Sequence, residues 1–370
     1  MYDIVVTTAF GIESVTSREL KNLGFEDLKV ENGKITLKGN DEDIARLNIF
    51  LRTGDRVYIK LKEFTALSFE DLFQGTLSIN FGDFLPENAK MHVIGKSIKS
   101  KLFSVSDCQA IVKKAVVESM KKKYKKTWFS EDGPTYKIEV ALLKDVATIS
   151  LDTSGIGLHK RGYRIEAGEA PLKETLAAAM VLLSRWKSDR LLIDPFCGSG
   201  TILIEAALIG KNIAPGMNRS FDAENWCHID KKVWDLMRER ARSEINNEQF
   251  KILGQDIDGR VLKTARENIK RAGVEDFVFV QKLPMEKLST KKKNGVIICN
   301  PPYGERIGQI REVEKLYKRM GEVFQNLEGW SYFILTSHLE FERLFGRKAD
   351  KNRKLYNGKI LCYLYQYFSQ

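Results

Sequence analysis

Leu191-Leu192-Ile193-Asp194-Pro195-Phe196-Cys197-Gly198-Ser199-Gly200-Thr201 reads as a short buried strand that breaks into a glycine turn and restarts as a helix. A strand, a turn with two close glycines and a helix bring a ligand against the backbone at a helix N-terminus, where unpaired amides point outward. The spacing excludes two common nucleotide sites. A Walker A loop needs G-x-x-x-x-G-K-[ST], and a dinucleotide fold places its ribose acid about 20 residues on. Here the next strand-end acid is Asp256, beyond an inserted segment from Lys211 to about Glu248. Further along, Val296-Ile297-Ile298-Cys299 is an apolar strand running into Asn300-Pro301-Pro302-Tyr303-Gly304. Two prolines cannot continue a ladder, so the backbone must leave the sheet at its carboxyl edge, where open α/β sheets bind ligands.

Around these two stretches the pattern is one of helices alternating with short apolar strands, the mark of a parallel sheet covered on both faces. Strands are expected at Leu191 to Ile193, Lys251 to Leu253, Phe277 to Val280, Val296 to Cys299 and Tyr332 to Leu335, with helices at Leu172 to Trp186, Thr201 to Leu208, Lys231 to Asn246, Gly259 to Ala272 and Val313 to Leu327. The tail, Arg353 to Phe368, holds two β-rich runs around the hairpin signal Asn357-Gly358. Before residue 165 the chain reads as two small α/β units. The first, in β-α-β-α-β order, fills residues 1–64; the second, residues 65–164, holds a helix opened by a Ser106/Gln109 capping box and a hairpin over Tyr136 to Leu143 and Val146 to Leu151. The third division is 165–370.

With 370 residues, 43% hydrophobic and 29% charged, the composition excludes collagen-like, disordered and disulfide-scaffold classes. The longest uncharged apolar run, Leu176 to Ser184, is far short of the roughly 18 to 20 residues of a membrane span, and the first residues do not resemble a signal peptide. A cytoplasmic protein is expected. Five cysteines without a C-x-x-C pair give no sign of a structural metal. The net charge of +11 is concentrated: Ala89 to Phe129 holds eleven lysines against Asp107 and Glu118. On the helix there, Cys108, Val112, Val116, Ser119 and Met120 share one face and Lys113, Lys114, Lys121, Lys122 and Lys125 the other. That stripe is either a polyanion-binding surface or a solvated helix face.

The Asp194-to-Thr201 motif paired with a later N-P-P-Y resembles the class I S-adenosylmethionine-dependent methyltransferases of exocyclic amino groups. The resemblance extends along the chain. Gly157-Leu158-His159-Lys160-Arg161-Gly162-Tyr163-Arg164, Ala170-Pro171-Leu172-Lys173-Glu174, Ile204-Glu205-Ala206-Ala207, Ala214-Pro215-Gly216, Arg219, Phe221, Asp256-Ile257-Asp258, Asn300 to Arg306 and Lys354-Leu355-Tyr356-Asn357-Gly358 are similar to the bacterial 23S rRNA guanine-N2 methyltransferase group. The likeness is to its relatives with a single methyltransferase domain, many of them named N6-adenine-specific DNA methylases from the shared N-P-P-Y. That group implies a ferredoxin-like domain and a THUMP RNA-binding domain before a Rossmann-like class I methyltransferase sheet with a C-terminal hairpin.

The resemblance also implies roles. Asn300 and the Pro301 carbonyl, in the Asn300-Pro301-Pro302-Tyr303 turn, would accept the N–H groups of the target amino group, and Tyr303 would stack on a flipped base. For the cofactor, S-adenosylmethionine, Asp194 would meet the methionine end, and Pro195, Phe196, Cys197, Gly198, Ser199, Gly200 and Thr201 would bring backbone to it. Asp256 would accept the ribose hydroxyls and Ile257 would pack on adenine. The adenine loop corresponds to Gln281-Lys282-Leu283-Pro284, which lacks the usual acid, so a backbone contact near Leu283 is expected. Arg161 and Arg164 join the lysine stripe as expected RNA contacts; for His159 and Arg161 the other reading is a brace at the domain junction. Cys197 and Cys299 read as packing residues, and His228 and Trp226 as core or lid residues. RNA is the expected partner, with no metal and no membrane. The alternatives are a tRNA target, a silent RNA-binding assembly factor, and DNA adenine, which the THUMP-like half disfavours.

Overall fold

β-Branched and alternating residues build the first sheet. The computed structural model describes residues 1–164, 172–304 and 310–369, and these form two units: Met1–Thr7, Leu20–Leu158 and Gly216–Ala241; and Thr8–Glu19, His159–Pro215 and Arg242–Gln370. Chain order begins with β1 (Tyr2–Thr8), α1 (Glu13–Asn22), β2 (Lys29–Glu31), β3 (Lys34–Gly39), α2 (Asp41–Phe50) and β4 (Gly54–Thr65). It continues with α3 (Phe69–Leu77), β5 (Lys90–Ile98), α4 (Val105–Tyr124), β6 (Thr135–Leu143) and β7 (Val146–Asp152). The strands make one seven-stranded sheet in the order β2-β3-β1-β4-β7-β6-β5. Twelve-residue β4 joins the two halves, flanked by β1 and β7 and bulged between Lys60 and Lys62. The two N-terminal modules thus share a sheet rather than packing as separate ones.

Capping boxes at Asn40/Asp43 and Ser68/Asp71 start α2 and α3. The box expected at Ser106/Gln109 does not form. Helix α4 begins at Val105, with Ser104 at the N-cap making no side-chain cap bond. Leu102, buried with its carbonyl accepting from the Ser97 hydroxyl at 2.7 Å, pulls the start toward the core, and Ser106 falls inside the first turn. The apolar face of α4 is Cys108, Val112, Ala115, Val116, Ser119 and Met120, as its spacing predicts.

The segment Gly216–Ala241 completes this unit. Trp226 stacks on Tyr136, ring centroids 4.7 Å apart, and its indole N–H donates to the Thr135 carbonyl at 3.0 Å. His228 approaches the Phe84 carbonyl through Nδ1 at 3.0 Å. Trp226 and His228 are therefore packing residues.

The second unit holds α5 (Glu174–Ser184), β8 (Leu192–Asp194), α6 (Thr201–Gly210), β9 (Ile252–Asp256), α8 (Gly259–Arg271), β10 (Val278–Lys282) and β11 (Val296–Cys299), with α7 (Lys231–Ser243) preceding β9. It ends with α9 (Ile310–Gln325), β12 (Ser331–Thr336), α10 (Phe341–Phe345), β13 (Lys351–Asn357) and β14 (Ile360–Tyr367). The sheet order is β10-β9-β8-β11-β12-β14-β13. Pairing is parallel from β10 to β12 and antiparallel at β14. This is the class I methyltransferase sheet. Every residue of β11 and β12 is buried, the reason these strands read as unbroken apolar runs. One core holds α5, α6 and α8 against the sheet and a second holds α9 and α10. The chain turns back between β8 and β11, and the crevice at such a switch point is where these sheets bind ligands. In the tail hairpin, Asn357 pairs with Ile360 across Gly358-Lys359, so Asn357 ends a strand instead of opening the turn. No helix among the described residues is long and apolar enough to cross a membrane.

Candidate active site

Three buried residues, Leu192, Ile193 and Asp194, carry the chain to the carboxyl edge of the sheet. Asp194 accepts the Phe196 N–H at 3.0 Å. Burial holds its carboxyl well above the usual range, against that hydrogen bond and reinforced by the charge of Asp256. Gly198 (φ +51) and Gly200 (φ +86) then take left-handed conformations that cost other residues energy. A Cβ on Gly198 would meet no atom within 4 Å, leaving open space beside the backbone. Gly200 is the N-cap of α6 and offers no capping side chain, so the first amides of that helix stay available for a ligand.

Asp256, at the end of β9, fastens this loop. Its Oδ2 accepts the Gly198 N–H at 3.0 Å and its Oδ1 the Asp258 N–H at 2.9 Å, while Cys197 N–H donates to the Gln255 carbonyl at 2.9 Å. A carboxylate has about four acceptor positions, so Asp256 keeps lone pairs for hydroxyl donors. Leu283 N–H donates to the Asp256 carbonyl at 3.1 Å, which commits that amide inside the protein.

On the next strand, Asn300 follows β11 and receives the Tyr303 hydroxyl on its Oδ1. Asn357 Nδ2 approaches the same hydroxyl at 3.5 Å. Burial raises the Tyr303 phenol far above its ordinary value, so it is neutral at working pH and acts as a donor. The Pro302 carbonyl accepts the hydroxyl of fully buried Tyr317 at 2.7 Å, and Thr336 lies 2.8 Å from that hydroxyl. The turn is thereby pinned from below by α9 and β12.

A cavity of 590 Å³ opens at this edge, lined by Pro195, Phe196, Asp256, Ile257, Asn300, Pro301, Pro302 and Tyr303 among others. That volume suits a small-molecule ligand of cofactor size. Of the residues expected at the site, Asp194, Cys197 to Thr201 and Leu283 do not line it. Ile257, 69% exposed, offers an apolar plate at the wall.

Residues 161–366 match the family model described as RMKL-like, methyltransferase domain; residues 3–58 match the RlmL ferredoxin-like domain and 66–152 the THUMP domain. The chain belongs to the RMKL-like methyltransferases. It is 49% identical over 372 residues to the Bacillus subtilis (strain 168) protein named "Putative RNA methyltransferase YpsC", covering 100% of this chain and 96% of that one. It is 32% identical to the ribosomal RNA large subunit methyltransferase K/L of Legionella pneumophila (strain Corby), covering 98% of this chain and 52% of the relative. The chain thus spans about half the length of that K/L protein. The solved structure of SMU.472 complexed with SAH superposes with a TM-score of 0.95 at 46% identity, covering 100% of this chain and 98% of that one. The family is one of S-adenosylmethionine-dependent RNA methyltransferases, and S-adenosylmethionine is the methyl donor.

Within this methyltransferase, the two arginines expected to meet RNA make internal bonds. Arg161 is buried with its Nε 3.5 Å from Glu205. Arg164 donates to the Leu172 carbonyl at 2.8 Å and to the Thr201 hydroxyl at 2.7 Å, with Glu174 3.2 Å away. Arg164 braces the first turns of α5 and α6 and Arg161 reaches Glu205 one turn into α6, buried acids that demand a cationic partner. Lys113 is committed to Glu131 at 2.6 Å and the Met91 carbonyl at 2.7 Å. Lys121 pairs with Glu118, and Lys114 stands over the Phe73 ring. Lys114, Lys122 and Lys125 are exposed. Cys197 and Cys299 are buried, with thiols raised chiefly by burial, the state of packing residues. Ala170, Pro171, Glu305 and Arg306, quoted among the motifs, lie outside the described residues.

The sequence reading missed Tyr317, Asn357 and Glu286. Glu286 lines the cavity two residues past the acid-free adenine loop. Asn357 was read as a turn residue and as part of a tail motif without a role at the site, and nothing in the helical pattern of α9 marks Tyr317 as a clamp.

Proposed function

We propose that this methyltransferase modifies an exocyclic amino nitrogen of an RNA base, guanine N2 of large-subunit ribosomal RNA, and that residues 65–164 serve RNA binding while 165–370 perform the transfer. The observation that carries this reading is the placement of Asn300 and Tyr303 on the same cavity as Asp256 and Ile257.

The residues fit the donor. Gly198 leaves open backbone, Asp256 keeps acceptor lone pairs and Ile257 an apolar face; Asp194, Phe196 to Gly200, Asp256 and Ile257 would hold it. When bound, S-adenosylmethionine supplies an electrophilic methyl on sulfur. The target amino nitrogen is a weak nucleophile because its lone pair is delocalised into the base. Asn300 Oδ1 has two acceptor positions, one used by Tyr303 and one free for a substrate N–H. The Pro301 carbonyl supplies the second acceptor. Together they localise the nitrogen lone pair and aim it, which is catalysis by orientation and electrostatics. Methyl transfer to the nitrogen would cost the donor its methyl–sulfur bond, and the amino group held by Asn300 and Pro301 would give up its proton to water. Tyr303 keeps Asn300 in its rotamer and offers its ring to a flipped base.

The test is methyl transfer from labelled S-adenosylmethionine to deproteinised ribosomal RNA and to tRNA, followed by mass spectrometry of the nucleosides. N2-methylguanosine in large-subunit RNA is expected. Asn300→Ala should bind S-adenosyl-homocysteine normally yet turn over about a hundred-fold more slowly. Wild-type turnover in that variant, or N6-methyladenosine as product, would overturn the assignment.

A further inference from the structure

At one end of the first sheet, apolar and basic side chains stand exposed side by side. Strands β5 and β6 run parallel in register to the pair Ile98 and Leu143, which are 53% and 49% exposed. The β6–β7 turn is Lys144-Asp145, both at positive φ. The loop after β5 is bound onto that turn: Lys144 N–H donates to the Ile98 carbonyl at 3.1 Å, Lys101 N–H to Asp145 Oδ1 at 2.7 Å, and Asp145 N–H to the Ser100 hydroxyl at 3.0 Å. Because Leu102 tucks into the core, its neighbour Phe103 is driven outward and is 83% exposed. A phenylalanine so exposed on a loop so well tied is held in place with its ring uncovered.

The charges around it are uncommitted. Elsewhere in the basic block, Lys113, Lys121, Lys123 and Lys126 pair with Glu131, Glu118, Asp83 and Glu87. Lys99, Lys101 and Lys144 are exposed and have no carboxylate partner among the described residues. The Asp145 carboxylate accepts a backbone amide, and Asp107 is the exposed acid in the adjoining first turn of α4. A preset aromatic face beside unpaired lysines matches unstacked nucleotides, whose bases stack while their phosphates meet the cations. Duplex RNA hides its base faces and fits poorly.

We propose that this end of the sheet binds unpaired RNA nucleotides, Phe103 stacking on a base and Lys99, Lys101 and Lys144 receiving the backbone phosphates. The proposal rests on the RNA reading above and adds a place for the substrate outside the methyl-transfer cavity. The experiment measures binding of the full chain to a short fluorescein-labelled RNA of mixed sequence, free and annealed to its complement. The single strand should bind more tightly than the duplex. Phe103→Ala should weaken single-strand binding about ten-fold, and Phe103→Trp should restore it. Lys99→Ser with Lys101→Ser should lower the slope of log affinity against log salt by about 0.7 per lysine. Affinity for S-adenosyl-homocysteine should stay unchanged throughout. A wild-type chain that ignores the single strand, or a Phe103→Ala chain that binds it as wild type does, would overturn the proposal and give the patch to another partner. Methyl transfer separates the two readings: wild type that binds the strand but methylates no RNA removes the methyltransferase assignment and leaves this surface. Methylation with an indifferent Phe103→Ala does the reverse.

Discussion

Asp194 shows how one side chain can oppose stability while serving a ligand. Burial raises its carboxyl pKa, the Phe196 N–H works against the shift and Asp256 adds to it. A carboxyl that holds its proton to higher pH when folded binds more protons in the native state. Its favourable contribution is therefore present below the unfolded value of 3.8 and is lost as pH rises through the folded value. Above the unfolded value, keeping this carboxyl buried is a penalty to folding. Asp194→Asn should thus raise the melting temperature of the ligand-free protein at pH 7 and flatten its decline with pH above the unfolded value. The same change should weaken S-adenosyl-homocysteine about ten-fold by weakening the acceptor that holds the Phe196 N–H at the cavity wall. Thermal melts across pH, paired with calorimetric titration, would show the two effects moving in opposite directions; an unmoved melting temperature would contradict the first and an unmoved affinity the second. At this scale, Asp194, Asp256, Asn300 and Tyr303 were legible because each sits where a strand ends and local pattern marks the exit. Tyr317, Asn357 and Glu286 reach the site from other elements, and no local spacing carries that information.

Helix α4 raises the question of how much of a lysine stripe is available. Lys121 shares its charge with Glu118, whereas Lys122 and Lys125 stand exposed. A solvent-screened surface pair of this kind is weak, so a phosphate can compete for it. Reversal of Lys121, Lys122 and Lys125 to glutamate should weaken RNA binding and lower its salt slope by about 2 units in a single strand, leaving cofactor affinity intact. An unchanged slope across a salt series would mark the stripe as a solvated face. Among the elements, long amphipathic helices and wholly buried strands were readable, and short pieces were not. Strand β2 is three residues with two exposed, too brief for a hydrophobic period. Its signal was the Asn32-Gly33 dipeptide between Glu31 and Lys34, the same kind of turn cue that was read in the tail. The start of α4 was misplaced because a buried Leu102, not a capping side chain, sets it.

Across the whole molecule, ligand effects should be local. Because Asp256 bonds the Gly198 amide and Leu283 bonds the Asp256 carbonyl, the donor should tighten three strand exits together. Hydrogen exchange with saturating S-adenosyl-homocysteine should slow amides at 196–201, 256–258 and 283–286, and leave β5 to β7 unchanged; slowing confined to one of those stretches would separate them. The mostly parallel sheet was legible from strand-helix alternation, but the membership of Gly216–Ala241 was not. Trp226 and Tyr136 are ninety residues apart, and only the folded chain brings their rings together.

That membership constrains how the chain is made. The ribosome releases residues 1–158 before the rings that cover Tyr136 exist, and Trp226 follows only after β8 and α6 have emerged. The nascent first unit must therefore wait, with an aromatic patch uncovered, through most of the Rossmann opening, and it closes while the second sheet still lacks β9 to β14. A gene cut between the modules would sever the clasp from the sheet it seals. The two units are joined as products of one continuous act of synthesis, so a shuffled THUMP module taken from this chain would leave part of its own core behind.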